Sequence, residues 1–416
     1  MKMDTDVLAR VEELYDRGLY LQALEAGESL GDLRRWPGTE GRILAGRLAQ
    51  NLGGARLGRV LYRLAWRADP ASPMACYYQG TATLGRFGPL SAWKFLQKAD
   101  PPAQPPTSIH ANWFGLHAEV LATLRDFQRA DEWLNRAEEL VPDEPFLWVQ
   151  RAHVWEQEDR LDDALGAARR SMEIRPWFRP GVQMTASLLC QLNRNEEALA
   201  LLSEASEKLE SGLILWQLAS LEIETERYAE ACEVLERIDR YLPLVEKDLV
   251  KQLAALHADA AYQHGDHATA ARLAPLAEHA YFNNMAERLA DMPAEGKRSI
   301  LPVEAVRQHH QTCAPATLTA LGRYWSKPVD HQEVVQEICY GGTSAQKERV
   351  WAEEHGFLAR EFRVTAESTA ALIDRGVPFA LETQGTDWGH LQAIVGYDTR
   401  MGTFLVRDPS NLMRGE

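Results

Sequence analysis

A spacing of 34 residues constrains this 416-residue chain more than any other feature. Ala118, Ala152 and Ala186 stand 34 apart, and so do Ala130, Ala164 and Ala198, and Pro142 and Pro176. Within each unit the two alanines lie 12 apart, and the pairs Ala219/Ala231 (followed by Pro243) and Ala258/Ala270 continue the pattern. Upstream, Gly46 and Gly80 take the first small position, and Gly58 and Ala92 the second. A small residue on each of two short antiparallel helices lets them cross closely. Large apolar residues such as Trp148, Trp155 and Leu165 fill the gaps to neighbouring units. The proline ends the second helix, because it lacks a donor and clashes with the preceding turn. A fixed period of this length marks stacked units, none of which buries its apolar face alone. Seven or eight units fit between residues 7 and 280, enough to stack stably. Asp100–Pro106 reads as a loop that stretches one interval.

The pattern resembles the tetratricopeptide repeat, most closely in FLWVQRAHVWEQEDRLDDALGAARRSMEIRP, with Trp148, Ala152, Trp155, Ala164 and Pro176 in register. The expected fold over 1–290 is an all-α superhelical solenoid without chemistry of its own, holding a peptide or protein partner on its concave surface. The formal net charge of −15 speaks against sequence-independent nucleic-acid binding. Residues 301–416 carry 11 basic and 15 acidic residues, so −4, which leaves −11 on residues 1–300 and a lean toward a basic partner. No apolar run approaches the ~18 residues of a membrane span, so no direct membrane insertion is expected. The opening MKMDTDVLARVEELYDRG has acidic residues where a signal peptide needs its apolar core, which points to a cytoplasmic protein. Five scattered cysteines (Cys76, Cys190, Cys232, Cys313, Cys339) with no CxxC pair fit neither a disulfide framework nor a zinc site.

Near residue 290 the pattern breaks. DMPAEGKRSILP reads as a linker, and glycines and β-branched residues rise after it. Helices are expected near 313–326, 330–339, 344–355 and 366–375. Strands are expected near 357–364, 377–383, 390–397 and 403–407. The last two strands read as a hairpin turning at Thr399 to Gly402. Residues 300–416 thus form a second, α+β domain. Gly341-Gly342 leads into a helix with Thr343 or Ser344 as its cap. Asp330, His331 and Asp398 read as cap or solvated turn residues.

The chemistry concentrates in this domain. Cys313 precedes an apolar helix-forming run, with Pro315 in the first turn, and a thiol at a helix N-terminus is favoured as thiolate. His390 opens one hairpin strand and Asp408 closes the next, so the hairpin can bring them side by side and turn His390 toward Cys313. That is a nucleophile, base and orienter for acyl transfer. A side-chain amide from Gln308 or its rival Gln311 can donate to an oxyanion beside the Cys313 N–H. Cys76, Cys190 and Cys232 read as small buried residues of repeat helices, and Cys339 as structural. His309, His310 and Cys313 lack a second ligand pair, so no metal is expected, nor any other cofactor.

Gln308, Cys313-Ala314-Pro315-Ala316, His390 through Gly396-Tyr397-Asp398, and Asp408-Pro409 resemble the bacteriocin-processing, double-glycine leader peptidases and their papain-like relatives in bacteria. The resemblance implies a papain-like cysteine peptidase domain with Cys313, His390 and Asp408 as its triad and Gln308 at the oxyanion. It also implies a bacterial origin and a peptide or protein substrate, with a small pair such as Gly-Gly before the scissile bond. Ala314 departs from the family's glycine, and the sequence stops at Glu416, eight residues after Asp408, where such domains continue. This leaves the expectation of a chain cut inside the domain. Two alternatives stand beside the peptidase: an adaptor that grips peptide without cutting, and an acyl or peptidyl transferase using the same cysteine.

Overall fold

The structure is a computed structural model that describes residues 2–99, 107–291, 295–309, 311–384 and 389–410. The loop expected at Asp100–Pro106 lies outside the described residues. The chain divides into two compact units, residues 1–223 with 227–253, and 224–226 with 254–414.

The first unit is built of paired antiparallel helices. Three consecutive pairs are Ser108–Thr123 with Phe127–Leu140, Pro145–Gln157 with Leu161–Ile174, and Arg179–Gln191 with Asn195–Lys208. The alanines that define the period are its tightest points: Ala118, Ala130, Ala152, Ala164, Ala186, Ala198, Ala219 and Ala231 are all completely buried. A second periodic feature sits between the helices of each pair. Arg125, Asp159, Asn193 and Glu226 all adopt positive φ, between 57° and 65°. Each closes its helix with a back-reaching bond, as in Asp126 N to Leu121 O at 2.9 Å and Arg194 N to Leu189 O at 2.8 Å. This is the left-handed helix stop that glycine usually supplies. Four different side chains occupy it here, so residue identity did not reveal it.

The array also curls on itself. Glu210 accepts from the N–H groups of Leu21 and Gln22 at 2.8 and 3.1 Å, and the Leu244 N–H reaches the carbonyl of Leu52 at 3.0 Å. Small constant rotations between repeats accumulate into such a superhelix.

The second unit centres on a four-stranded antiparallel sheet, β1 (Arg298–Ile300), β2 (Phe379–Gln384), β3 (Gly389–Asp398) and β4 (Thr403–Arg407). The long β3 pairs with β4 along one edge. Along the other edge β2 pairs with its first half and β1 with its last residues. A register shift between Ile394 and Gly396 bends β3 against β4. Gly396 permits the crowding there, since a Cβ on it would lie 2.2 Å from the Ser299 carbonyl oxygen. The helix Cys313–Tyr324 packs on the sheet, with Ala316 and Ala320 against Ala393 and Val395.

Several expectations fail here. Residues 357–364, read as a strand, form exposed irregular chain. Leu358 is 81% and Phe362 46% exposed, while Phe357 and Val364 are half-buried against neighbouring hydrophobic clusters. Conversely, part of the supposed linker is β1. Asp398 is not a solvated turn residue either. It is buried, with the Tyr262 hydroxyl donating to it at 2.7 Å and Arg400 paired to it at 2.8 Å. Burial raises its carboxyl, but the bonds from Arg400 and Tyr262 outweigh burial and hold it at about 2. His331, also read as a cap or solvated turn residue, is half-buried at the start of its helix, and burial is the main force lowering it to about 4. Asp330 does cap its helix, accepting from the Gln332 and Glu333 N–H groups, and Ser344 caps the next.

Candidate functional site

Cys313 occupies the first position of the helix Cys313–Tyr324 and is partly exposed. The preceding Thr312 does not cap this helix with its side chain. Its hydroxyl instead closes a turn on His309, donating to the His309 carbonyl and accepting the His309 N–H, both at 2.7 Å. Pro315 has no N–H to satisfy. The first-turn amides of Cys313 and Ala314 therefore meet no side-chain acceptor from the cap.

One turn along, Thr317 donates a buried hydrogen bond to the Leu391 carbonyl at 3.0 Å. Residues four apart share a helix face. This bond therefore fixes the Cys313 face of the helix against the start of β3, next to His390.

His390 Nε2 lies 2.7 Å from Asp408 Oδ1 and 3.4 Å from Ser410 Oγ. Asp408 also receives the Ser410 N–H at 2.8 Å. Burial pushes the Asp408 carboxyl up, but the bonds from Ser410 and His390 outweigh it and hold the group below its ordinary range. An ionised carboxylate only accepts, so Nε2 is the donor. In the neutral imidazole, Nδ1 is then left with its lone pair. The ring is oriented by one nitrogen and basic at the other.

Gln308 joins this group through the backbone, its N–H donating to the Pro409 carbonyl at 2.7 Å. Its carboxamide makes no hydrogen bond among the described residues, and its oxygen is buried. Gln311 is exposed and faces the Tyr340–Gly342 turn, its Oε1 about 4.0 Å from where a Gly342 Cβ would stand. The Cys339 thiol approaches the Gln311 carbonyl at 3.6 Å, which gives that cysteine a local structural contact.

The structure thus brings His390 and Asp408 into direct contact, ties Gln308 to the chain beside them, and clamps the Cys313 helix to the His390 strand. Thr317, Thr312 and Ser410 support the arrangement and were not singled out from sequence. Only Thr317 carried a signal, lying one helical turn after the cysteine. His310 lies outside the described residues, and among the described residues no three His, Cys, Asp or Glu side chains gather as metal ligands. An apolar groove of about 700 Å³ runs elsewhere in this unit, between Trp325, Trp351, Phe357 and Phe379, and none of the four candidate residues lines it.

Residues 300–416 match the family described as Peptidase_C39 like family. Over 83 residues the chain is 31% identical to an N-terminal acetyltransferase A complex subunit-like protein of Schizosaccharomyces pombe, a match that covers 20% of this chain and 12% of that one. Among solved structures it is similar to a tetratricopeptide repeat protein of Parabacteroides merdae (12% identity, 62% of this chain and 99% of that one, TM-score 0.38). It is also similar to pilF of Pseudomonas aeruginosa (16% identity, 54% and 99%, TM-score 0.39). The chain is a tetratricopeptide-like helical array joined to a C39-like domain at residues 300–416. Among the described residues no helix is long and apolar enough to cross a membrane.

Proposed function

We propose that the chain is a cysteine peptidase in which the repeat array, residues 1–290, recruits a protein substrate or partner to a catalytic domain at 300–416. Cys313 attacks the peptide carbonyl as thiolate. His390, through Nδ1, accepts the thiol proton and returns it to the leaving amine. Asp408 holds the ring and stabilises the imidazolium. The Cys313 N–H and the Gln308 carboxamide donate to the oxyanion. Water then releases the acyl group from the sulfur. No metal or organic cofactor enters these steps.

The observation that carries this reading is the 2.7 Å bond from His390 Nε2 to Asp408, which leaves Nδ1 basic on a strand clamped to the Cys313 helix. The Gln308 backbone bond to Pro409, next to Asp408, supports its role over Gln311, which is exposed and faces the Tyr340–Gly342 turn. Tethering by the array raises the effective concentration of substrate, so a shallow catalytic cleft suffices for selectivity.

The test is iodoacetamide labelling across pH with peptide mapping, in wild type and His390→Ala. An ordinary thiol, with pKa about 8.5, is almost wholly protonated at pH ~6. Cys313 is expected to alkylate there well ahead of the other cysteines and to lose that lead without His390. Indifference of Cys313 to His390 would replace the peptidase with a peptide-gripping adaptor. Mass spectrometry with amine and thiol acceptors distinguishes hydrolysis from acyl transfer.

A further inference from the structure

The segment 55–98 reverses the charge of the array. It holds seven basic residues and one acidic residue, a net of +6 in a chain of −15. The helix Ala55–Ala68 contains four arginines and no carboxylate. Arg56, Arg59 and Arg63 follow the spacing that puts them along one face. Across from them, on the helix Pro73–Phe87, stand Gln79, Ala82 and Arg86. The two rows line an open groove of about 600 Å³.

The arginines differ in what holds them. Arg56 is committed, paired with Glu246 at 3.2 Å and with Asp248. Arg59, Arg63 and Arg86 make no ion pair among the described residues. Arg86 stacks on the Phe87 ring at 5.1 Å, but like charges gathered without carboxylate partners repel one another, so an anionic ligand gains from all three at once. Guanidinium forks suit carboxylates and phosphates alike. The surroundings favour carboxylates on a peptide: Val60 and Phe87 line the groove beside the arginines and are exposed, Phe87 to 62%. They need apolar side chains between the anionic groups, which a polyphosphate lacks. Gln79 adds a carboxamide oxygen, buried without a donor, that matches a backbone N–H. At Gly85 the groove is open, since a Cβ there would meet nothing within 4 Å. A glycine inside a helix is less favourable than alanine, and here it leaves space for a chain to approach.

We propose that this groove binds an acidic peptide segment with interspersed apolar residues, gripped by Arg59, Arg63 and Arg86. The site deepens the recruiting role given to the array, and it requires no turnover.

The test is fluorescence anisotropy of the full chain with a labelled peptide alternating Asp or Glu with Leu or Phe. The expected result is saturable binding that weakens as salt screens the charges. Affinity is expected to fall about tenfold or more in Arg59→Glu/Arg63→Glu. It is also expected to fall in Gly85→Trp, which fills the groove without changing charge. Absence of binding, equal binding by both variants, or equal binding of the Asn/Gln version of the peptide would overturn the proposal. Tighter binding of inorganic polyphosphate than of the acidic peptide would overturn the peptide assignment. Cys313 labelling is read separately on the same protein, so the groove and the peptidase reading can fail independently.

Discussion

Replacing Asp408 by Asn separates the charge at the site from its shape. Oδ1 of Asp408 takes the His390 Nε2 bond at 2.7 Å and the Ser410 N–H at 2.8 Å. Asparagine keeps an oxygen for both bonds and removes only the negative charge. In the proposed mechanism the reactive form is a Cys313 thiolate facing a protonated His390, so the lost charge acts on the imidazolium. A hydrogen bond to a charged group contributes about 1.5–3 kcal/mol. The Asp408 side chain is 43% exposed, and solvent screening takes the effect toward the low end, about 1–1.5 kcal/mol. That is roughly a tenfold loss of thiolate–imidazolium pair, and of alkylation rate, at pH ~6. Above pH ~9 any exposed thiol is largely ionised, and the variant and wild type should converge. The assay is iodoacetamide rate against pH with peptide mapping. Cys76 is a slow internal reference, because burial and then Asp69 push its thiol up. A wild-type rate at pH ~6 would refute the electrostatic role of Asp408. An equal deficit at both pH values would mean that the substitution disturbed structure instead of charge.

Thr317→Val keeps the shape of the side chain but removes the 3.0 Å bond to the Leu391 carbonyl. It should cost about 1–3 kcal/mol in denaturant unfolding and reduce the Cys313 labelling lead at pH ~6; an unchanged lead would remove the clamp from the argument. Gly396→Ala and Gly265→Ala test two different reasons for glycine. At Gly396 a Cβ meets the Ser299 oxygen at 2.2 Å, so β1 must shift, at about 1–3 kcal/mol. At Gly265 space is free but φ is +93°, so only backbone strain of about 1–2 kcal/mol is expected. Thermal unfolding of the two variants checks both, and a neutral result at either position removes its reason. Asp398 sits at about 2, below its unfolded value near 4, so its contribution is full above pH ~4 and is lost as pH falls toward 2. His331, lowered to about 4, likewise stabilises above pH ~6.5 and ceases to as pH falls to 4. Asp398→Asn should flatten the thermal midpoint against pH below about 4, and His331→Gln should flatten it between about 4 and 6.5; profiles parallel to wild type would refute the assignments.

The repeat was legible because its physics is local and periodic. A buried contact between two helices demands a small residue, and only alanine or glycine meets the demand. The turn between those helices obeys an equally strict period in φ, yet Arg125, Asp159, Asn193 and Glu226 share no side-chain chemistry. Sequence shows a constraint on size and hides a constraint on backbone angle that any residue can meet at modest cost. At the site, Cys313, His390 and Asp408 stood out because each lies at the end of a regular element. Thr317 and Ser410 act through contacts set by tertiary packing, which spacing alone does not reveal. The misread segment 357–364 shows the reverse failure: its aromatic and aliphatic residues suit a strand, but among the described residues no strand pairs with them.

Charge gives the sharpest contrast between averages and places. Taken over residues 1–300, a balance of −11 points to a basic partner. Taken over residues 55–98, a balance of +6 points to an acidic one. The two do not compete, because screening confines an exposed charge to about 8–10 Å at physiological salt. A ligand in the groove feels Arg59, Arg63 and Arg86, while Arg56 is already neutralised by Glu246 and Asp248. The acidic remainder of the array instead repels polyanions at longer range when salt is low. A short acidic peptide that reaches the arginines escapes most of that repulsion, whereas a long polyphosphate or nucleic acid extends into it. Net charge therefore restricts the size of the anion, and the local cluster sets its sign.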